Sequence, residues 1–122
     1  MRTNAQIVVS AGIDAGHQDP VTYEWVPDND EDVVLNCRAL VQAGGLIKAS
    51  RRSVSEVYSD ADGVAFVDKP YLADLMRVVP GEHKVKVVYD PIRRGSSVDY
   101  FTADAEARFV RPEDRALLLR YI

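Results

Sequence analysis

Apolar and polar residues alternate along most of the chain with the two-residue period of half-buried β-strands. The pattern is longest over residues 33–42. Five apolar residues share one face there: Val33, Leu35, Cys37, Ala39 and Val41. The β-branched content of this segment favours a strand over a helix, and Gly44-Gly45 ends the pattern. Further strands are predicted near residues 5–13, 21–26, 46–58 and 98–102.

The clearest half-buried strand lies in the sequence HKVKVVYD, where Val85 and Val87 alternate with Lys84 and Lys86. The two valines are therefore predicted to be buried and the two lysines to face solvent. Asp62-Gly63 is typical of a hairpin turn, and Val64 and Phe66 in the strand after it are predicted to face inward. In the strand near residues 105–110, the residues predicted to face inward are Ala105, Ala107 and Phe109.

Two segments fit a helix better than a strand. Pro112, Glu113 and Asp114 make a favourable first helical turn, so a short C-terminal helix is predicted after them. Its buried face would hold Leu117, Leu118 and Tyr121. A second helix at about residues 69–79 is the alternative that would make the chain an α+β protein, since Pro70 is well placed at a helix start.

Seven to eight short strands separated by turns predict a mainly β protein, a β-sandwich formed by residues 1–122 as a single domain. Three sequences resemble those of bacterial and phage immunoglobulin-like domains: the turn at residues 60–63 (DADG), the turn at residues 79–81 (VPG) and the strand at residues 85–89 (VKVVY). The resemblance implies an immunoglobulin-like sandwich and a virion or tail-associated component that assembles as a homo-oligomer. An antibody-type domain is not supported, because Cys37 has no partner cysteine and Trp25 precedes it.

Composition narrows the classes of partner. The formal net charge of −4 over 122 residues argues against a nucleic-acid binder that depends on phosphate contacts. A single cysteine excludes an intrachain disulfide, and no apolar run is long enough to cross a membrane. The start of the sequence does not have the pattern of a signal peptide. The protein is expected in the cytoplasm, or assembled from a host cytoplasm into a virion.

Candidate chemistry is sparse. Asp14, His17 and Asp19 could form an acid–base group or part of a metal site, but a polar loop between strands explains them equally well. The acidic segment at residues 28–32 (DNDED) lacks the glycine and glutamate spacing of a calcium-binding EF-hand loop. Cys37 is predicted to be a small core residue. No catalytic residue, metal site or cofactor is therefore predicted.

Basic residues near turns define a predicted interaction surface, which comprises Arg51, Arg52, Lys84, Lys86, Arg93 and Arg94. The sequence thus favours a non-enzymatic structural or protein-interaction module that binds protein partners, including copies of itself. Two alternatives stay open. One is a small inhibitor or immunity protein that occludes a partner's site, and the other is an enzyme centred on Asp14 and His17.

Overall fold

The computed structural model describes residues 2–12, 16–43 and 61–122. Within them, ten strands follow in chain order: β1 (Ala5–Ser10), β2 (Gly16–Gln18), β3 (Trp25–Pro27), β4 (Val33–Ala43), β5 (Gly63–Val67), β6 (Lys84–Tyr89), β7 (Ile92–Arg94), β8 (Ser97–Asp99), β9 (Thr102–Arg111) and β10 (Ala116–Tyr121). The same residues contain one α-helical turn, α1 (Leu72–Leu75), and three 3-10 helices, at Asp30–Asp32, Lys69–Tyr71 and Pro112–Asp114.

Six of the strands close into an antiparallel barrel in the order β1-β4-β5-β10-β9-β6. β1 completes the circle because it pairs on one side with β4 and on the other with β6. The prediction of a mainly β protein is confirmed, whereas the predicted β-sandwich is wrong. Strands with alternating apolar and polar residues can form a sandwich or a barrel. A barrel results when the two edge strands of the sheet pair with each other.

One hydrophobic core fills the barrel, and every barrel strand contributes to it. Its strand residues are small or medium-sized: Ala5, Ile7, Val9, Leu35, Cys37, Ala39, Val41, Ala65, Val67, Val85, Val87, Ala105, Ala107, Leu117 and Leu119. Leu75 of α1 and Val78 join the same core. The predicted burial of Val85, Val87 and Cys37 is confirmed.

The strand registers define two ends of the barrel. At the lower end, β1 finishes at Ser10, which lies opposite Val33 and Lys84, the first residues of β4 and β6. At the upper end, Ala5 lies opposite Tyr89, the last residue of β6. Six residues of β1 at about 3.3 Å each separate the ends by roughly 20 Å. The β7–β8 hairpin joins β6 to β9 at the upper end, and the segment of residues 28–32 enters β4 at the lower end.

The β2–β3 hairpin covers the outer face of β1, so that all six residues of β1 are buried. The side-chain amide of Gln6 fixes this cover: its Oε1 accepts from Trp25 N at 2.7 Å, and its Nε2 donates to Trp25 O at 3.0 Å. Lys86 lies under the Trp25 ring, 4.4 Å from its centroid, and is only 8 % exposed. The prediction that Lys86 faces solvent is therefore wrong, although its side chain does point away from the core.

The predicted C-terminal helix is also wrong. Only Pro112–Asp114 is helical, as a 3-10 turn that ends at Arg115 with a left-handed φ of 52°. The chain then continues as β10, whose residues Ala116 to Leu119 are all buried. A continuous apolar run is compatible with a buried strand or a helix, because periodicity alone does not separate the two. Near residues 69–79 the structure has only a 3-10 turn at Lys69–Tyr71 and one α-helical turn at Leu72–Leu75, so the α+β alternative with a helix over this segment is also wrong.

In two strands, β5 and β9, the residues predicted to face inward differ from the structure. In β5, Ala65 and Val67 line the core, while Val64 and Phe66 belong to a second apolar cluster with Leu118. Both faces of β5 are apolar, so the alternation of apolar and polar residues could not show which face lines the core. In β9, the register shifts between Ala107 and Phe109 relative to β10, and Phe109 is left 50 % exposed. Such a bulge reverses which face the following residues occupy.

Candidate interaction surface

The structure does not bring together the four described basic residues of the predicted interaction surface, which are Lys84, Lys86, Arg93 and Arg94. Lys84 is paired with Glu106, whose Oε1 lies 2.8 Å from Lys84 Nζ, and Lys86 is buried under Trp25. Arg51 and Arg52 lie outside the described residues. Arg93 and Arg94 are neighbours on β7 and are both exposed. The β7–β8 hairpin is therefore where the described part of the chain presents adjacent, accessible basic side chains.

A tight turn gives this hairpin its shape. Gly95 has a φ of +63°, as a two-residue turn with glycine at its first position requires. The Ser97 hydroxyl donates to the Arg94 carbonyl oxygen at 2.8 Å and closes the turn. Arg94 Nε lies 3.4 Å from Asp99 Oδ2 across the two strands. The hairpin is thus held by local contacts, and Arg93 on the opposite face remains exposed.

Large apolar side chains flank the two arginines at the base of the hairpin. Ile92 is 48 % exposed, Tyr100 50 % and Phe101 53 %. The Tyr100 ring stacks on Tyr23 from the loop between β2 and β3, with ring centroids 5.0 Å apart. These residues form the upper-end surface: Tyr23, Ile92, Arg93, Arg94, Tyr100 and Phe101. Exposed apolar side chains gathered in one place are typical of binding surfaces.

Asp19 shapes the loop that presents Tyr23. Its Oδ1 accepts from Val21 N at 2.7 Å and Thr22 N at 3.0 Å, and its carbonyl oxygen accepts from Tyr23 N at 2.9 Å. The backbone hydrogen bonds from Thr22 and Val21 hold the pKa of Asp19 below its usual value. Tyr23 itself adopts a left-handed φ of 63°. Asp19 thus has a structural role in the loop that carries part of the upper-end surface.

The hypothetical acid–base group is only partly described. His17 Nδ1 lies 3.8 Å from Asp28 Oδ1, and both side chains are about two-thirds exposed. Asp14 lies outside the described residues. Across residues 2–12, 16–43 and 61–122, no group of three histidine, cysteine or carboxylate side chains is placed to hold a metal ion.

A cleft of about 400 Å³ lies between the β2–β3 hairpin and the barrel. Two of its polar side chains are engaged within the fold: Gln6 bonds to Trp25, and Arg38 pairs with Asp90 at 2.6 Å. Cys37 also lines it, but burial, followed by the negative charges of nearby carboxylates, raises the pKa of this thiol to about 12. A thiol that stays protonated is a poor nucleophile, so the cleft is a weaker candidate than the upper-end surface.

Comparisons with protein-family models, curated proteins and solved structures found no match to this chain. The resemblance to immunoglobulin-like domains therefore stays a prediction from turn and strand patterns. Of the helices in the described residues, none has the length and apolar character needed to span a bilayer.

Sequence reasoning identified Arg93 and Arg94 but missed the aromatic residues beside them. Tyr100 and Phe101 fall within a segment predicted as a strand, yet both lie between β8 and β9. Adjacent residues of a strand point to opposite faces, so two neighbouring aromatics cannot both enter one core. That adjacency was the available indication that at least one ring is exposed.

Proposed function

We propose that the protein is a non-enzymatic protein-interaction module that binds through its upper-end surface. The observation that carries the proposal is the exposure of Ile92, Tyr100 and Phe101 around two adjacent arginines. Tyrosine, phenylalanine and arginine are enriched at the centres of protein–protein interfaces. The surface combines all three types within ten residues of chain.

Pre-organisation supports the same function. The Tyr23–Tyr100 stack and the turn at Gly95 hold the surface before any partner arrives. Binding then loses less conformational entropy than it would with a loose loop. The hairpin also joins two strands of a barrel with a filled core, which gives the surface a rigid base. The virion and inhibitor roles remain predictions from the sequence and are not part of this proposal.

Photo-crosslinking tests the proposed binding surface. A photoreactive phenylalanine analogue replaces Phe101 in one variant and Phe109 in another, and both are irradiated in the protein's native cells. The two positions are matched, because each is a half-exposed phenylalanine on the outside of the barrel. We expect discrete protein adducts from position 101 and few from position 109. Equal adduct yields, or none from position 101, would contradict the proposal.

A further inference from the structure

We infer that residues 72–83 form a pH-sensitive lid over the lower end of the barrel, and that the neutral form of His83 holds this lid closed. The lid is a separate feature from the upper-end surface, and its opening requires no partner. A change in the protonation of one side chain would expose apolar core residues at this end in acid and cover them again at neutral pH.

The lid covers the core with two of its side chains. Leu75 is 0 % exposed and Val78 5 %, and both pack in the core of the barrel, whereas Met76 between them is 62 % exposed. The lid leads into β6, which begins at the lower end. The backbone N–H groups of residues 76–78 donate within the lid, to carbonyl groups of residues 72–75, so these bonds can persist when the lid moves. Such a segment can open locally while the strands stay paired.

His83 fastens the end of the lid that follows Val78. Its ring Nδ1 accepts a hydrogen bond from the backbone N–H of Val79 at 2.8 Å, and its own backbone N–H donates to the Val79 carbonyl oxygen at 3.1 Å. The turn between the two residues is tied to β9: Gly81 N–H donates to the Ala107 carbonyl oxygen at 2.9 Å, and Ala107 N–H donates to that of His83 at 3.1 Å. We call the hydrogen bond from Val79 N to His83 Nδ1 the latch, because it is the contact among these that depends on protonation.

Protonation of the ring removes the acceptor on which the latch depends. A neutral imidazole has one N–H donor and one acceptor nitrogen, whereas both nitrogens of the charged ring are donors. A proton on Nδ1 would face the Val79 N–H, so the hydrogen bond would break. Histidine is the side chain that ordinarily changes charge between about pH 5 and pH 8. The stabilising contact is therefore complete near the alkaline limit of this range and is lost as the pH falls through it.

The charged groups around His83 are carboxylates, a lysine and arginines, residue types that ordinarily titrate outside this range. A hydrogen bond from Lys84 holds the pKa of the Glu106 carboxyl below its usual value, so this carboxylate stays charged. The other histidine of the sequence, His17, lies on β2 near Asp28, which would attract a positive ring. The response of the lid to pH should therefore come from His83. The charged residues on the elements around it are Asp74, Arg77 and Glu82 of the lid, Lys84 of β6, Glu106 and Arg108 of β9, Arg120 of β10 and Asp32 before β4.

Amide hydrogen exchange, followed by NMR on the full chain at about pH 7.5 and about pH 5.5, tests the lid. His83→Asn keeps an acceptor, since the asparagine Oδ1 can take the place of Nδ1 and does not titrate. His83→Leu removes the acceptor at every pH. His17→Asn is the matched control, because it removes the other histidine and leaves the latch intact. Thermal melts establish that each variant folds, and exchange rates are compared after correction for the pH dependence of intrinsic exchange.

We expect the wild-type amides of Val79, Gly81 and His83 to lose protection roughly tenfold at the lower pH, a change typical of one lost hydrogen bond. The amides of β1 and β6 should keep their protection, because only the lid opens. His17→Asn should respond to pH as the wild type does. His83→Asn should stay protected at both pH values, and His83→Leu should exchange quickly at both.

Several results would overturn the inference. Wild-type lid amides that do not respond to pH would show that no switch exists, and faster exchange at Val79 with Gly81 still protected would show that the latch breaks without opening the lid. An equal pH response in His83→Asn and the wild type would assign the titrating group elsewhere. A His83→Leu protein as protected as the wild type at the higher pH would show that the latch does not hold the lid. Loss of protection in β1 and β6 together with the lid would indicate global unfolding.

Discussion

At the scale of single residues, the Lys86 side chain points away from the barrel core but is buried beneath Trp25 of the β2–β3 hairpin. Its Nζ lies 2.7 Å from Asp104 Oδ1 and forms an ion pair with that carboxylate. The Trp25 ring covers the other side. A buried ammonium needs such partners, because removal from water disfavours the charge. Lys86 therefore helps hold the β2–β3 hairpin on the barrel.

Two replacements of Lys86 distinguish the contribution of its charge to stability from that of its aliphatic stem. Lys86→Asp would face Asp104 with a like charge, and we expect the free energy of unfolding to fall by about 2 kcal/mol, since Asp104 is partly exposed. Lys86→Met keeps the packing against Trp25 and should lose clearly less. Urea unfolding of both variants measures the difference. Equal losses would show that the charge at position 86 has no specific role.

Alternation placed Lys86 on the correct side of its strand, opposite to Val85 and Val87. It could not show that residues from 16–27 return to cover that side, because the covering contact joins distant parts of the sequence. The hydrogen bonds of Gln6 to Trp25 illustrate the same limit. A glutamine at an outward strand position is ordinary in sequence and acquires its role only from the fold.

At the scale of elements, the β2–β3 hairpin depends on a close approach at Gly16. A Cβ at this position would lie 2.6 Å from Trp25 Nε1 and 2.7 Å from the Val26 carbonyl oxygen. The backbone oxygen cannot move without breaking the pairing of β2 with β3. Only glycine lets the two strands and the Trp25 ring pack in this way.

Gly16→Ala should therefore loosen the hairpin. We expect a loss of about 1–3 kcal/mol, typical of overpacking, and a red shift of Trp25 fluorescence as the indole becomes hydrated. Gly12→Ala is the matched control, because a Cβ there meets nothing within 4 Å. A Gly16→Ala protein with native fluorescence and an unchanged melting temperature would show that the hairpin is not packed this closely.

Elements with one polar face were predictable, and those without one were not. β4 and β6 alternate cleanly, and their strands and core faces were predicted correctly. β5 and the start of β10 are buried on both faces, so their sequences contain no period from which to choose a face or an element type. The bulge in β9 depends on its register with β10, which alternation within β9 does not encode.

At the scale of the whole molecule, six strands share one core, so damage inside it should affect the entire fold. Val87→Asp would bury an unpaired carboxylate at a fully buried position, costing several kcal/mol against a total stability of about 5–15 kcal/mol. We expect no cooperative thermal transition in this variant. Phe109→Asp, on the outer face of β9, should melt close to the wild type.

Circular dichroism melts of the two variants provide the comparison. The pair also tests the bulge in β9, since uninterrupted alternation would put Phe109 in the core with Ala105 and Ala107. A Phe109→Asp protein as damaged as Val87→Asp would mean that the register shift is wrong.

Closure of the barrel was the feature hardest to predict from the sequence. Strand number and turn spacing suit a sandwich or a barrel, and the deciding pairings, β1 with β6 and β5 with β10, join distant segments. The upper-end surface could be predicted only in part. Arg93 and Arg94 stand next to a recognisable turn, whereas the Tyr23–Tyr100 contact exists only after the barrel has formed.

The order of pairing has a consequence for how the protein is made. β1 is synthesised well before its partner β6, and β5 well before its partner β10. Such non-local pairing makes folding slow. Until synthesis reaches Tyr121, β5 and β9 each present an open edge on which another chain could add a strand. The nascent barrel is therefore most prone to aggregation in the interval between the synthesis of β9 and the completion of β10.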